Sequence, residues 1–301
     1  MNRIIANNKW LTVIMAGLLF AILWASAATA TKIGLKAAQP FVICIFRFLI
    51  SGVVMLVISH LFLRNKLPEK QQWKQLTIYG LLNITIYLGL YVLAMQNVSA
   101  GLGALAVSSN PVFITIIAVI FLKQPVSFRM VLSLLLCTAG VILAAFPSMD
   151  NSTTTIGGII VMFASMLSYS AGAVYFSARK WDGLNILTIN AWQTIIGGLL
   201  LLPLTIAVYQ PALNLYNSDF WWSVTWLAIP VSIIGVLCWL FLLKENPVKA
   251  SYWLFLCPIA GFIIAKLMMQ EPLNSFTVYG ILLVLTGLFL VLKDKPAPKP
   301  E

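Results

Sequence analysis

Apolar residues fall in long blocks along this chain, and short polar stretches separate them. The blocks lie near residues 10–31, 40–63, 75–95, 99–122, 127–146, 156–178, 185–208, 220–243, 249–269 and 275–292. Each is long enough for a helix crossing a hydrocarbon layer of about 30 Å, which takes roughly 20 residues. Backbone amides in lipid must be paired within their own segment, and a helix does this. The pattern therefore predicts an all-α polytopic membrane protein of ten transmembrane helices. The connections are too short to hold a soluble domain.

The blocks also repeat. Shifted by 147 positions, Met95–Leu143 falls on Leu242–Leu290 without a gap: Pro111 meets Pro258, Ala118 meets Ala265, Gln124-Pro125 meets Glu271-Pro272, and Gly140 meets Gly287. A looser echo sets Ser26 on Ser170, Arg47 on Gln193 and Gly52 on Gly198. Repeats in a strongly apolar chain mark a transporter built from two related halves. We expect a first five-helix repeat over residues 1–148, a second over 149–292, and a short disordered cytoplasmic tail over 293–301. Five is odd, so the second repeat would enter the membrane upside down and enclose a central cavity with the first.

Composition fits this reading. Apolar residues make up 61% of the 301 residues and charged ones 9%, against about 25% charged in soluble domains. The net charge of +11 raises the question of a nucleic-acid partner, but its distribution argues against one. Arg3, Lys9, Arg64, Lys66, Lys70, Lys74, Lys123, Arg129, Arg179, Lys180, Lys244, Lys249, Lys293, Lys295 and Lys299 all lie in alternate connections, and only Lys32 and Lys36 lie in the opposite set. Basic residues stay on the cytoplasmic side, so both termini are expected inside. Met1–Ala30 has the outline of a signal peptide, but its removal would leave nine spans and break the symmetry. Cys44, Cys137, Cys238 and Cys257 lie within spans without metal-ligand spacing and read as packing residues.

Candidate chemistry is sparse. Pro111 and Pro258 sit at equivalent places in the two halves. Each removes a helical hydrogen bond and should free the carbonyl four residues back, a break of the kind that marks transporter sites as well as simple kinks. Ser99, Gly103, Ala106 and Asn110 give the fourth span a small, polar face. Two cations lie inside spans. Arg47 is about 10 Å from the outer end of the second, and Lys266 about 7–8 Å from the outer end of the ninth, at ~1.5 Å per residue. A buried cation is costly, so both are candidates for a pocket that holds a carboxylate or phosphate. For Lys266 the competing reading is snorkelling to the interface, towards Glu271. Asn83, Tyr87 and Tyr91 share one face of the third span. Gln193, in Arg47's place in the second half, joins Trp24 and Tyr169 as further wall candidates. Trp10, Trp73, Trp181, Trp221 and Trp222, near span ends, read as interfacial anchors. Small residues at Ser133/Gly140 and Gly280/Gly287 allow close contact, either inside the fold or across a homodimer.

Leu23-Trp24-Ala25-Ser26, Arg47, Asn110-Pro111, Pro258, Glu271-Pro272 and Gly280–Gly287, in this order and duplicated, resemble the drug/metabolite transporter superfamily, in its EamA-type branch of ten helices. Departures are Ala25 where the pattern carries Gly and Gln124 where it carries Glu. The resemblance implies helices arranged around a central cavity, the fifth and tenth at the periphery, and a secondary transporter, often an exporter of metabolites. It also implies, with the compact loops, a bacterial inner membrane.

The residues point to a transporter of a small anionic or zwitterionic solute, an amino acid or other carboxylate, working by alternating access. A proton-driven efflux pump for cationic drugs is the alternative, yet no Asp or Glu lies in the middle of a span. A lipid or lipid-linked sugar flippase is a further one. An enzyme is not expected: the single histidine, His60, has no H-E-x-x-H partner, and no Gly-x-Ser-x-Gly element occurs. No cofactor or metal is called for.

Overall fold

The computed structural model describes residues 2–107, 109–122, 128–150, 154–245, 250, 252–271 and 273–292, with no strand among them. Gln124 and the tail at 293–301 lie outside these residues. The apolar blocks become helices: α1 (Asn2–Leu35), α2 (Pro40–Phe62), α3 (Lys70–Asn97), α4 (Ala100–Val107), α5 (Asn110–Leu122), α6 (Phe128–Asp150), α7 (Ile156–Ala178), α8 (Ile186–Val208), α9 (Ser218–Lys244), α10 (Leu256–Met269) and α11 (Ser275–Leu292). Six described rods are long and apolar enough to cross a membrane: Leu11–Leu35, Pro40–Phe62, Lys70–Asn97, Ile156–Ala178, Ile186–Val208 and Ser218–Lys244. Shorter apolar helices cover Ala100–Ile114, Val131–Ala144, Leu256–Met269 and Ser275–Gly287. Large apolar side chains such as Leu61, Phe62, Phe121, Ile156 and Leu267 are exposed on the outside of the bundle. So much exposed apolar surface needs lipid rather than water.

Interruptions fall where the chemistry requires them. Pro111 is the second residue of α5, and Pro258 the third of α10, which follows a 3-10 turn over Tyr252–Phe255. A first turn tolerates proline because its amide would have no helical partner. Three stretches widen to π-helix: Val57–Phe62 in α2, Leu81–Ile86 in α3, and Leu227–Gly235 around Pro230 in α9. A π-turn shifts the carbonyl ladder, leaving oxygens for side chains of other helices. Ser168 Oγ donates to the Leu82 carbonyl at 2.8 Å, and Asn190 Nδ2 to the Ser232 carbonyl at 2.9 Å.

The helices pack as a closed ring in the order α1, α9, α2, α8, α3, α7, α5, with α4 and α10 completing it back to α1. Glycine makes the tightest seams possible. A Cβ on Gly80 of α3 would lie 2.7 Å from the Gln193 carbonyl oxygen of α8, and one on Gly197 would lie 2.8 Å from the Gly80 oxygen. The pair α6–α11 packs extensively on itself and attaches to the ring beside α5. Ser133 Oγ donates to the Gly287 carbonyl. A Cβ on Gly140 would lie 2.6 Å from the Gly280 oxygen, and one on Gly280 2.5 Å from the Gly140 oxygen. These small residues are thus occupied inside the fold.

Polar ties hold the ends of the rods. Gln39, before α2, binds the α8–α9 connection: its amide takes Asn214 Oδ1 at 2.9 Å, its Oε1 accepts from the Gln210 amide at 2.7 Å, and its Nε2 donates to the Val208 carbonyl at 2.9 Å. At the opposite end, Trp192 Nε1 donates to His60 Nε2 at 3.0 Å, and Ser59 shares a 2.7 Å hydrogen bond with Thr188. Trp181 is not a surface anchor: it is buried and donates Nε1 to the Phe176 carbonyl at 3.0 Å. Trp221 and Trp222 are exposed.

Candidate functional site

Eight of the nine candidate side chains, Trp24, Arg47, Asn83, Tyr87, Tyr91, Asn110, Tyr169 and Gln193, are buried, and they come from six members of the ring. Arg47 is the most consequential, because it is a cation only 4% exposed. Its Nε donates to Ser232 Oγ of the α9 π-turn at 2.7 Å, and its terminal nitrogens make no hydrogen bond to the described residues. No carboxylate is among its described partners. Tyr87, Tyr91 and Cys44 lie within electrostatic reach, and the guanidinium carbon is 5.9 Å from the Phe48 ring centre.

A chain of hydrogen bonds runs on from this point. Asn190 Nδ2 holds the Ser232 carbonyl at 2.9 Å, Gln193 Nε2 donates to Asn190 Oδ1 at 3.0 Å, and Asn83 Nδ2 donates to Gln193 Oε1 at 3.1 Å. Four helices, α2, α9, α8 and α3, are thereby joined through buried polar groups. Low local dielectric makes such a chain strong when complete and costly when cut. Arg47, Asn83 and Gln193 were candidates from sequence. Ser232 and Asn190 were not, although Pro230 in a span was a visible signal for an irregular turn beside Ser232.

The second half of the site is aromatic. Tyr169 of α7 stands 4.8 Å from Tyr87, 5.8 Å from Trp24 and 5.9 Å from Trp239, between ring centres. Phe20 extends the group, 4.8 Å from Trp239, and Tyr91 lies 6.0 Å from Tyr87. The Tyr169 hydroxyl is buried without a hydrogen-bond partner among the described residues, an arrangement that costs about 1–3 kcal/mol in a folded protein. Asn110 accepts from Ser170 Oγ at 3.1 Å through its side-chain oxygen, and its Nδ2 faces Met166 Sδ at 3.4 Å.

Lys266 does not join this centre, which corrects the expectation of a pocket shared with Arg47. It is exposed, on the face of α10 that also carries exposed Ile263 and Leu267, the latter 76% exposed. Counting residues along a helix gives depth but not the direction a side chain faces. Nor does Glu271 reach towards Lys266 in a described bond. Its carboxylate oxygens accept from the Ala100 and Gly101 amides at 2.7 and 3.0 Å, capping α4, with half-buried Lys32 within electrostatic reach. A carboxylate at a helix N-terminus satisfies orphan amides and meets the positive end of the helix dipole.

Apolar helices closed around a buried polar and aromatic centre define an integral membrane protein. The chain belongs to the EamA-like transporter family, which matches residues 11–146 and again 156–293. It is similar to an uncharacterized transporter of Archaeoglobus fulgidus, 27% identical over 294 residues, covering 96% of this chain and all of that protein. It is also similar to protein PecM of Dickeya dadantii, 25% identical over 272 residues, covering 89% of this chain and 88% of PecM. A solved crystal structure shares the fold with a TM-score of 0.67 at 15% identity, covering 92% of this chain and 96% of that one. The protein is therefore a membrane transporter of the drug/metabolite transporter superfamily.

Proposed function

We propose that this transporter moves a small anionic or zwitterionic metabolite, an amino acid or another carboxylate, by alternating access around Arg47. The observation that carries the proposal is a buried guanidinium anchored by Nε to Ser232, with no carboxylate among its described partners. An unpaired buried cation is expensive, and a substrate carboxylate would relieve the cost through a two-pronged contact with the terminal nitrogens. The aromatic group and the unpartnered Tyr169 hydroxyl supply the apolar wall and a further donor. Cationic drugs fit less well, since Glu271 is committed to the start of α4.

In this reading ten spans form two inverted repeats, residues 1–148 and 149–292. Two facts support it: the family matches the chain twice, and the α6–α11 contacts exchange under the 147-residue shift, Ser133 with Gly287 becoming Gly280 with Gly140. The charge bias supports cytoplasmic termini in a bacterial inner membrane, and the family resemblance supports export. Rocking of one repeat against the other would open the buried centre to each side in turn.

Counterflow in proteoliposomes preloaded with amino-acid and carboxylate pools tests the proposal. Labelled solute should accumulate from one pool, and Arg47→Ala protein that still folds should lose nearly all of that accumulation. Accumulation unaffected by Arg47→Ala would rule out the anion site, and accumulation from neither pool would rule out the substrate class.

A further inference from the structure

Away from the ring centre, an open cleft of about 680 Å³ lies where α7 ends, α8 begins and α9 ends. Its floor is apolar and buried: Phe176, Trp181, Leu184 and Leu243. Its rim is exposed and charged, with Arg179, Lys244 and one carboxylate, Asp182, among its lining residues. Arg179 is held with its guanidinium carbon 4.9 Å from the Tyr175 ring centre. A guanidinium held over a ring in this way can still offer N–H groups to an oxygen ligand. The transport reading uses none of these residues.

We propose that this cleft binds the headgroup phosphate of an anionic phospholipid from the inner leaflet, the leaflet assignment resting on the topology proposed above. Charge complementarity selects an anion, and the apolar floor selects one attached to a hydrophobic body. A free phosphate would gain nothing from Phe176 or Leu243, whereas the glycerol and first acyl carbons of a lipid bury apolar area there. The cleft also sits at the ends of membrane-length rods, at the level where headgroups lie, and basic residues near that surface attract anionic lipid. A bound lipid would tie together the ends of three helices of the second repeat.

Thermal melting of the purified full-length protein in detergent tests this directly, titrated with phosphatidylglycerol, with phosphatidylcholine of the same chains, and with inorganic phosphate. Phosphatidylglycerol alone should give a saturable rise of about 2–4 °C, as expected for a ligand that binds only the folded state. The rise should vanish in the Arg179→Gln/Lys244→Gln variant and saturate at lower lipid concentration in Asp182→Asn, so an ill-folded double variant still leaves a decisive arm. Equal rises with both lipids, or a rise unchanged in all variants, overturns the site. An equal rise with inorganic phosphate overturns the lipid in favour of a soluble anion. Labelling of Ser177→Cys in whole cells by an impermeant maleimide would overturn the inner-leaflet assignment alone, with the melting result still judging the cleft.

Discussion

Two seams of this molecule bring helices equally close and for opposite reasons. Between α6 and α11, glycine meets carbonyl at Gly140 and Gly280, beside Val284 and Ala144, and the Ser133–Gly287 hydrogen bond is, among the described residues, an isolated polar tie rather than part of a chain. Between α8 and its neighbours α3, α2 and α9, close approach at Gly80 and Gly197 is accompanied by a buried chain of amides and a cation. Apolar contact suits a joint that stays closed. A polar chain, strong when complete and costly when broken, suits a joint that exchanges one set of partners for another. Under the proposed function, the first seam would hold the protein together and the second would do its work.

Substitutions can break or sharpen that contrast. The largest effect is expected for Arg47→Ala: transport should fall about 100-fold, the scale of a lost charged hydrogen bond plus its substrate contact. Arg47→Lys should recover little of it, because an ammonium cannot hold Ser232 and a carboxylate with one planar fork. Initial rates in proteoliposomes measure both, and near-normal transport by the lysine variant would contradict the fork. Next comes Gly140→Leu, expected to lower the melting temperature by roughly 5 °C through overpacking while leaving the KM of the folded fraction unchanged. A raised KM would mean that the α6–α11 seam takes part in the cycle.

Asn190→Ala and Ser232→Ala should each slow transport about tenfold, and the double variant should lose less than the sum, since both serve one chain. Additive losses would show that they act separately. Tyr169→Phe removes a hydroxyl with no partner among the described residues, so melting should hold steady or rise while substrate affinity weakens by about threefold to tenfold. A drop in melting temperature would mean the hydroxyl is satisfied in the folded protein. The smallest effect belongs to Lys266→Gln, under about twofold, as for an exposed cation that snorkels to the interface.

Much of this arrangement was legible in the amino-acid order. The matched prolines, expected near the middle of their spans, lie in the first turns of α5 and α10, where the missing amide and the ring are tolerated locally. Arg47 stood out because a lone cation in an apolar run has few explanations. Ser232 and Asn190 did not stand out: serine and asparagine are common in membrane helices, and what makes them matter is apposition across 185 and 42 positions of chain. Lys266 was legible in depth but not in direction. Only the neighbours Ile263 and Leu267, large and apolar on the same face, hinted that this side of the helix meets lipid. Glu271 was visible as a carboxylate at a span end, but its partners, two backbone amides, carry no signature of their own.

The reciprocal pairing of Ser133 with Gly287 and Gly140 with Gly280 has a consequence for ancestry. If the halves are inverted copies, this is the interface two identical subunits would form on associating in opposite orientations about a two-fold axis, later joined into one polypeptide. Separate subunits must carry the same residue at every equivalent place, so a central cation would come in pairs and repel its twin. Fusion lifts that constraint. One half can keep Arg47 while the other becomes Gln193, and a symmetric shell comes to hold an asymmetric charge.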